Sequence, residues 1–156
     1  MGLIQILDDR QGRYIGQGVA HDGDGFQGEL KLEPLAHCNG LRLEYTASRE
    51  ALLLHHEHTY LAPDPSGLIH LWVISNNTPG LVAHALVSEE YNSMGEHVLT
   101  FEHGDLLGSE GFRERILITL HQGGALSYTY FWGLPGEPVA ERSHVKLYPS
   151  RVAESH

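Results

Sequence analysis

Three histidines and one glutamate stand in a row at His55, His56, Glu57 and His58. In an extended strand alternate residues share a face, so we expect His56 and His58 to point to one side and His55 and Glu57 to the other. Two imidazoles at positions i and i+2 can reach one metal ion, because neutral imidazole is a common ligand of zinc, iron and copper. The alternative is that these histidines hydrogen-bond across a sheet or to water.

Residues far along the chain could complete such a site if the strands close into a barrel. His84 could then join His56 and His58 in binding a metal or a ligand. Arg113 and Arg142 are candidates for holding a ligand carboxylate, because a guanidinium group can make two parallel hydrogen bonds to it. An outward salt bridge to a neighbouring strand is the alternative interpretation for the Arg113 segment.

Aromatic residues alternate at Tyr128, Tyr130 and Trp132, with Phe131 on the opposite face. Three large rings on one face would make a wall for a flat apolar ligand, or an ordinary hydrophobic core. No G-x-S-x-G nucleophile motif occurs in the sequence. If the protein is an enzyme, the sequence therefore favours His56, Glu57 or His58 as acid–base groups near Arg113.

Short strands must position these side chains, because runs with period-two hydrophobicity recur between turn residues and no long helical period is present. The sequence leaves room for a short helix near Ile4–Gln11 or around residues 86–95. Strands joined mainly by short hairpins favour an all-β, closed, up-and-down antiparallel barrel, since closure removes both sheet edges. The ten predicted strands are Tyr14–Ala20, Phe26–Leu35, Leu41–Ala47, Leu52–Ala62, Leu68–Ser75, Leu81–Ser88, His97–His103, Phe112–Leu120, Ala125–Trp132 and Arg142–Tyr148.

Length and composition limit the classes of function. With 156 residues the chain fits one domain, predicted at residues 1–150, with a flexible tail at residues 151–156. Its formal net charge of −10, from scattered acidic residues, disfavours binding to nucleic acid. The short apolar run near the start predicts neither a secretion signal nor a membrane span. The single cysteine, Cys38, cannot form an internal disulfide, which is typical of the reducing cytoplasm.

The opening Gly12-Arg13-Tyr14-Ile15-Gly16-Gln17-Gly18 resembles the G-x-W-x-G opening of the calycin barrels, the lipocalin and fatty-acid-binding superfamily, with Tyr14 at the tryptophan position. Among these it is most similar in layout to the nitrobindin-like haem-binding barrels. The segments from His55 to Asp64 and from Asn77 to Gly80 resemble the middle hairpins of that family, and Arg142–Val145 resembles its last strand. The resemblance implies a ten-stranded barrel with a cavity, and haem with His144 as its axial ligand if that ring points inward.

The main hypothesis is a binding protein with no cofactor that encloses a small apolar or amphipathic molecule. Its candidate ligand-binding residues are His56, His58, His84, Arg113, Tyr128, Tyr130, Trp132 and Arg142. The alternatives are a haem protein that uses His144, an acid–base enzyme in the same cavity, and a homodimer whose barrel is filled by its own side chains. The sequence does not identify the ligand.

Overall fold

One short helix is followed by ten strands in the computed structural model, which describes residues 2–150. The helix α1 covers Leu3–Asp8. The strands, in chain order, are β1 (Gly12–Ala20), β2 (Gly25–Pro34), β3 (Leu41–Arg49), β4 (Leu52–Pro63), β5 (Ile69–Ser75), β6 (Val82–Tyr91), β7 (His97–His103), β8 (Arg113–Leu120), β9 (Leu126–Gly133) and β10 (Ala140–Pro149).

The ten strands form a closed antiparallel barrel in which each strand pairs with its neighbours in sequence. Pairing of β1 with β10 closes the barrel, with Ile15 opposite Tyr148 and Gly18 opposite Val145. This closure depends on Gly16, because a Cβ atom there would lie 2.0 Å from the carbonyl oxygen of Lys146. The opening motif of the sequence therefore contains a glycine that lets two backbones approach.

The interior is filled by apolar side chains at the end of the barrel that α1 covers. Leu3 and Leu7 of α1 are buried in the same hydrophobic cluster as the leucines of the strands. Arg10, just after the helix, donates hydrogen bonds to the carbonyl oxygens of His121 and Ala125, which ties this end to the β8–β9 turn. Burial of apolar surface is the main stabilising contribution at this end of the barrel. The polar interior residues lie at the opposite end.

The structure confirms the predicted fold class and all ten predicted strands, with ends shifted by up to three residues. The first of the two suggested helices exists as α1, whereas residues 86–91 belong to β6. No helix within residues 2–150 is long and apolar enough to span a membrane. That residues 1–150 form a single domain stays a prediction, and the predicted tail at residues 151–156 lies outside the described residues.

Candidate functional site

A cavity of about 460 Å³ occupies the barrel at the end where β1 finishes and β2 begins. Antiparallel pairing brings the last residues of the odd-numbered strands and the first residues of the even-numbered strands to this end. Its size lies in the range of pockets that enclose a small molecule. The lining residues are Ala20, His21, Phe26, Tyr45, Ala47, Leu54, His55, Glu57, Asn77, Thr78, Phe112, Glu114, Tyr130, Trp132, Leu134, Arg142 and Ser143.

A buried carboxylate, Glu57, forms the polar centre of this cavity, and its residue is only 1% exposed. The hydroxyl of Tyr130 donates to Glu57 Oε1 at 2.9 Å, and the hydroxyl of Thr59 donates to Oε2 at 2.8 Å. His55 Nε2 lies 3.2 Å from Oε1. A carboxylate offers about four lone-pair positions. Oε2 accepts one hydrogen bond within the described residues, so it has a further position for a donor.

The tautomer of His55 follows from its two partners. Asn77 Nδ2 lies 2.8 Å from His55 Nδ1 and, as an amide nitrogen, can only donate. The ring proton of neutral His55 must therefore be on Nε2, from which it donates to Glu57. Burial raises the pKa of Glu57, but the hydrogen bond from His55, the charge that this ring carries when protonated, and the bonds from Thr59 and Tyr130 outweigh burial and hold the pKa below its usual value.

A second carboxyl group, Glu114, reaches the cavity from β8 and is 5% exposed. Burial raises the pKa of Glu114, against the opposing hydrogen bond and charge of His84. His84 is fully buried, and its Nε2 lies 2.7 Å from Glu114 Oε1. The two carboxyl groups therefore differ in their electrostatics, because Glu57 is held in its charged form and Glu114 is biased toward its neutral form.

Aromatic rings form the wall beside these carboxyl groups. Tyr128 and Tyr130 of β9 stack with ring centroids 5.7 Å apart, and Tyr45 of β3 stacks on Tyr128 at 5.4 Å. Trp132, at the mouth, carries the guanidinium of Arg142 4.5 Å above its ring. The structure places the three alternating rings of β9 on the inner face, with Tyr130 and Trp132 lining the cavity and Tyr128 buried beneath it.

The structure places His56 and His58 on the outer face of the barrel, so the expectation that they bind a ligand inside it needs correction. Glu57, Thr59 and Leu61 are buried at even spacing from His55, which fixes the odd-numbered residues of this part of β4 as the inward set. The alternation of an extended strand separates the two pairs of residues in β4, but the pair that enters the cavity is His55 and Glu57. Acid–base chemistry in the cavity is therefore available to Glu57 and not to His56 or His58.

Arg113 is 1% exposed but does not line the cavity, which also corrects its predicted role. Its neighbour Glu114 points inward, and Arg113 points outward beneath two loops. Its guanidinium donates to the carbonyl oxygens of Gly108, Gly111, Leu134 and Glu137. Arg113 therefore holds the loops that flank the mouth.

The haem hypothesis required His144 to point inward, and the structure does not meet this condition. His144 is exposed on β10, whereas its neighbour Val145 is buried. The His144 ring lies on the outer face, where Nδ1 is 2.6 Å from the hydroxyl of Thr129. His55 does line the cavity, but both of its ring nitrogens already have partners in Asn77 and Glu57. The residues present do not fit an axial haem ligand at the predicted position.

The polar residues at the centre of the site, His55, Glu57 and Glu114, were absent from the predicted ligand-binding set. The sequence of β4 does indicate that His55 and Glu57 face inward. Leu61 is the one leucine of this strand after Leu54, and it lies at even spacing from both residues, so all three share a face. For Glu114 the alternation with Ile116 and Ile118 is a similar signal. When apolar residues lie at even spacing from a charged residue in a strand, they share its face, and the charged residue therefore also faces inward.

No protein-family model and no curated protein matches the sequence. Among solved structures the barrel is similar to the crystal structure of Rv2717c from M. tuberculosis, with a TM-score of 0.74. The match covers 97% of this chain and 99% of that chain, at 15% sequence identity. At this identity the similarity supports the fold of the whole barrel and says nothing about its ligand.

Proposed function

We propose that this protein binds a small amphipathic molecule, with the apolar body of the ligand against the aromatic wall and a hydrogen-bond donor directed at Glu57. The observation that carries the proposal is a cavity of about 460 Å³ whose polar centre is a buried carboxylate with one further acceptor position. The resemblance to calycin barrels, many of which enclose small apolar molecules, also supports it.

The charge of the site favours one class of ligand. Glu57 is held in its charged form, and a charge in a poorly solvated cavity interacts more strongly than one in water. A ligand carboxylate placed beside Glu57 would be repelled, whereas an ammonium group or a neutral donor would be attracted. Arg142, at the mouth, is the cationic side chain in the lining set, and its guanidinium is engaged with Trp132 and Glu137. The ligand therefore carries a donor or a cation on a flat apolar body.

A matched pair of probes tests this chemistry. The protein is titrated with 1-naphthylmethylamine and with 1-naphthoate, and binding is followed by calorimetry and by tryptophan fluorescence. We expect the amine to bind more tightly than the carboxylate, and Glu57→Gln to remove most of this preference. Equal affinity for both probes, or tighter binding of 1-naphthoate, would contradict the proposed ligand class.

Occupation of the cavity is tested by filling it. Ala47 lines the cavity from β3, so Ala47→Phe should place a ring in the space for the ligand and abolish binding of the amine. Ala85 on β6 follows the inward residue His84 and faces the other side of the sheet, so Ala85→Phe is the matched control. Native mass spectrometry of the purified wild-type protein and of both variants would show whether a co-purified ligand is lost from Ala47→Phe alone.

Acid–base catalysis in the same cavity is the second candidate function. It is favoured by the opposite pKa shifts of Glu57 and Glu114, which give a base and an acid on one cavity. The two candidates differ in the fate of the ligand. A co-purified molecule that is recovered unchanged after incubation supports a binding protein, whereas conversion that stops in Glu57→Gln supports an enzyme.

A further inference from the structure

Three possible metal ligands meet on the outside of the barrel, away from the cavity. Glu44 on β3 pairs directly with His58 on β4, and His56 lies two residues before His58 on the same face. Glu44 Oε2 is 3.6 Å from His56 Nε2 and 3.6 Å from His58 Nδ1. One ligand atom from each of the three residues lies within 4.8 Å of the others.

These contacts are too long for hydrogen bonds and leave a buried nitrogen without a partner. His56 Nε2 is shielded from solvent and has no hydrogen-bond partner among the described residues. It points toward the same carboxylate oxygen as His58 Nδ1, and the two imidazole rings are 4.6 Å apart. A buried polar atom without a partner is costly, and an unassigned ion is one of its ordinary explanations. A cation bound between the three side chains would give His56 Nε2 such a partner.

The two distances from Glu44 to the imidazole nitrogens are close to those around a tetrahedral ion of the zinc type. Zinc binds histidine nitrogen and carboxylate oxygen at about 2.0–2.2 Å, so two ligand atoms in a tetrahedral site are about 3.3–3.5 Å apart. The two distances of 3.6 Å exceed this by a few tenths of an ångström, a change that side-chain rotation can supply. Two strands of the barrel hold the residues, and the fourth position faces solvent, because all three side chains are 30–49% exposed.

We propose that Glu44, His56 and His58 form a site for a divalent transition metal ion, with water at the fourth position. Nitrogen donors favour zinc, copper, nickel and cobalt over magnesium and calcium, which prefer oxygen. The ion would link β3 to β4 and satisfy His56 Nε2. Lys31 of β2 lies near the site, with its Nζ 3.7 Å from Glu44 Oε1. It opposes a bound cation without occupying Oε2.

The site is tested on untagged, chelator-treated protein by titration with Zn²⁺ against a chromophoric chelator. We expect one equivalent of Zn²⁺ to bind per chain, Co²⁺ to bind with the visible bands of tetrahedral coordination, and Mg²⁺ to show no competition. His58→Ala and Glu44→Gln should each weaken Zn²⁺ binding by at least about tenfold, since even loss of an outer-shell partner costs 10–100-fold. Lys31→Met should strengthen it.

His144→Ala is the matched control, because it removes an exposed strand histidine elsewhere on the barrel. It should bind Zn²⁺ as the wild-type protein does. Circular dichroism of each variant checks that the barrel is folded. The proposal is overturned if the wild-type protein takes up no stoichiometric Zn²⁺, or if His58→Ala binds as tightly as His144→Ala. Zinc should raise the melting temperature of the wild-type protein but not that of His58→Ala.

Discussion

Two tyrosines of β9 allow the hydrogen bond to Glu57 to be measured with an internal control. Tyr128 and Tyr130 share the inner face, and both are buried. The hydroxyl of Tyr130 donates to Glu57 at 2.9 Å, whereas the buried hydroxyl of Tyr128 has no partner within residues 2–150. Burial raises the pKa of both hydroxyl groups, so each is neutral and able to donate at pH 7.

Tyr130→Phe should lower the free energy of unfolding by about 1.5–3 kcal/mol, the usual contribution of a hydrogen bond to a charged group. Tyr128→Phe removes an unsatisfied hydroxyl and keeps the stacked ring, so its effect should stay within about 0.5 kcal/mol or be stabilising. The difference between the variants should shrink in acid. The pKa of Glu57 is lowered by folding, so its stabilising contribution is present above the unfolded pKa and is lost as the pH falls through the folded value.

Urea unfolding at 25 °C, followed by circular dichroism at pH 7 and at acid pH, gives both free energies. The two variants have the same chemical change on the same strand, so packing and unfolded-state effects largely cancel. Equal destabilisation of the two variants at pH 7, or a larger loss for Tyr128→Phe, would refute the assignment of Glu57 as the charged centre of the cavity.

Three other substitutions test separate parts of the structure. Glu114→Gln should gain stability relative to the wild-type protein as the pH rises above the unfolded pKa of a glutamate, because folding raises the pKa of Glu114 and the folded wild-type protein then holds the extra proton. Urea unfolding over a series of pH values measures this gain. Arg113→Met should lower the free energy of unfolding by about 3–5 kcal/mol, since several loop carbonyl groups lose their donor; an unchanged melting temperature would contradict this. Gly16→Ala should cost at least about 2 kcal/mol, because its Cβ would meet the backbone oxygen of Lys146, and thermal unfolding measures the loss.

The barrel could be predicted because its inward residues are apolar along most strands. In β3 the buried residues Leu41, Leu43, Tyr45 and Ala47 alternate with exposed or half-buried polar residues, so the sequence indicates both the strand and its inner face. Closure of the sheet follows from ten such strands in short hairpins. The inner surface of the open end is harder to predict, because charged residues there face inward and only apolar residues farther along the same strand, such as Leu61 in β4, indicate the buried side.

The β4 strand shows the physical reason for this limit. Its first residues, Leu52-Leu53-Leu54, are apolar on both faces, and the pairing of β3 with β4 shifts between Ala47 and Ser48. A one-residue shift moves a side chain to the other face of the sheet. The irregularity lies just before His55, so the apolar residues Leu52–Leu54 do not indicate which of the neighbouring residues His55 and His56 enters the barrel. From His55 to Leu61 the pairing with β3 is regular, so the strand alternation that buries Leu61 also places His55 and Glu57 in the cavity. The same alternation leaves His56 and His58 beside Glu44 on the outer face, so the register of β4 against β3 determines both proposed sites.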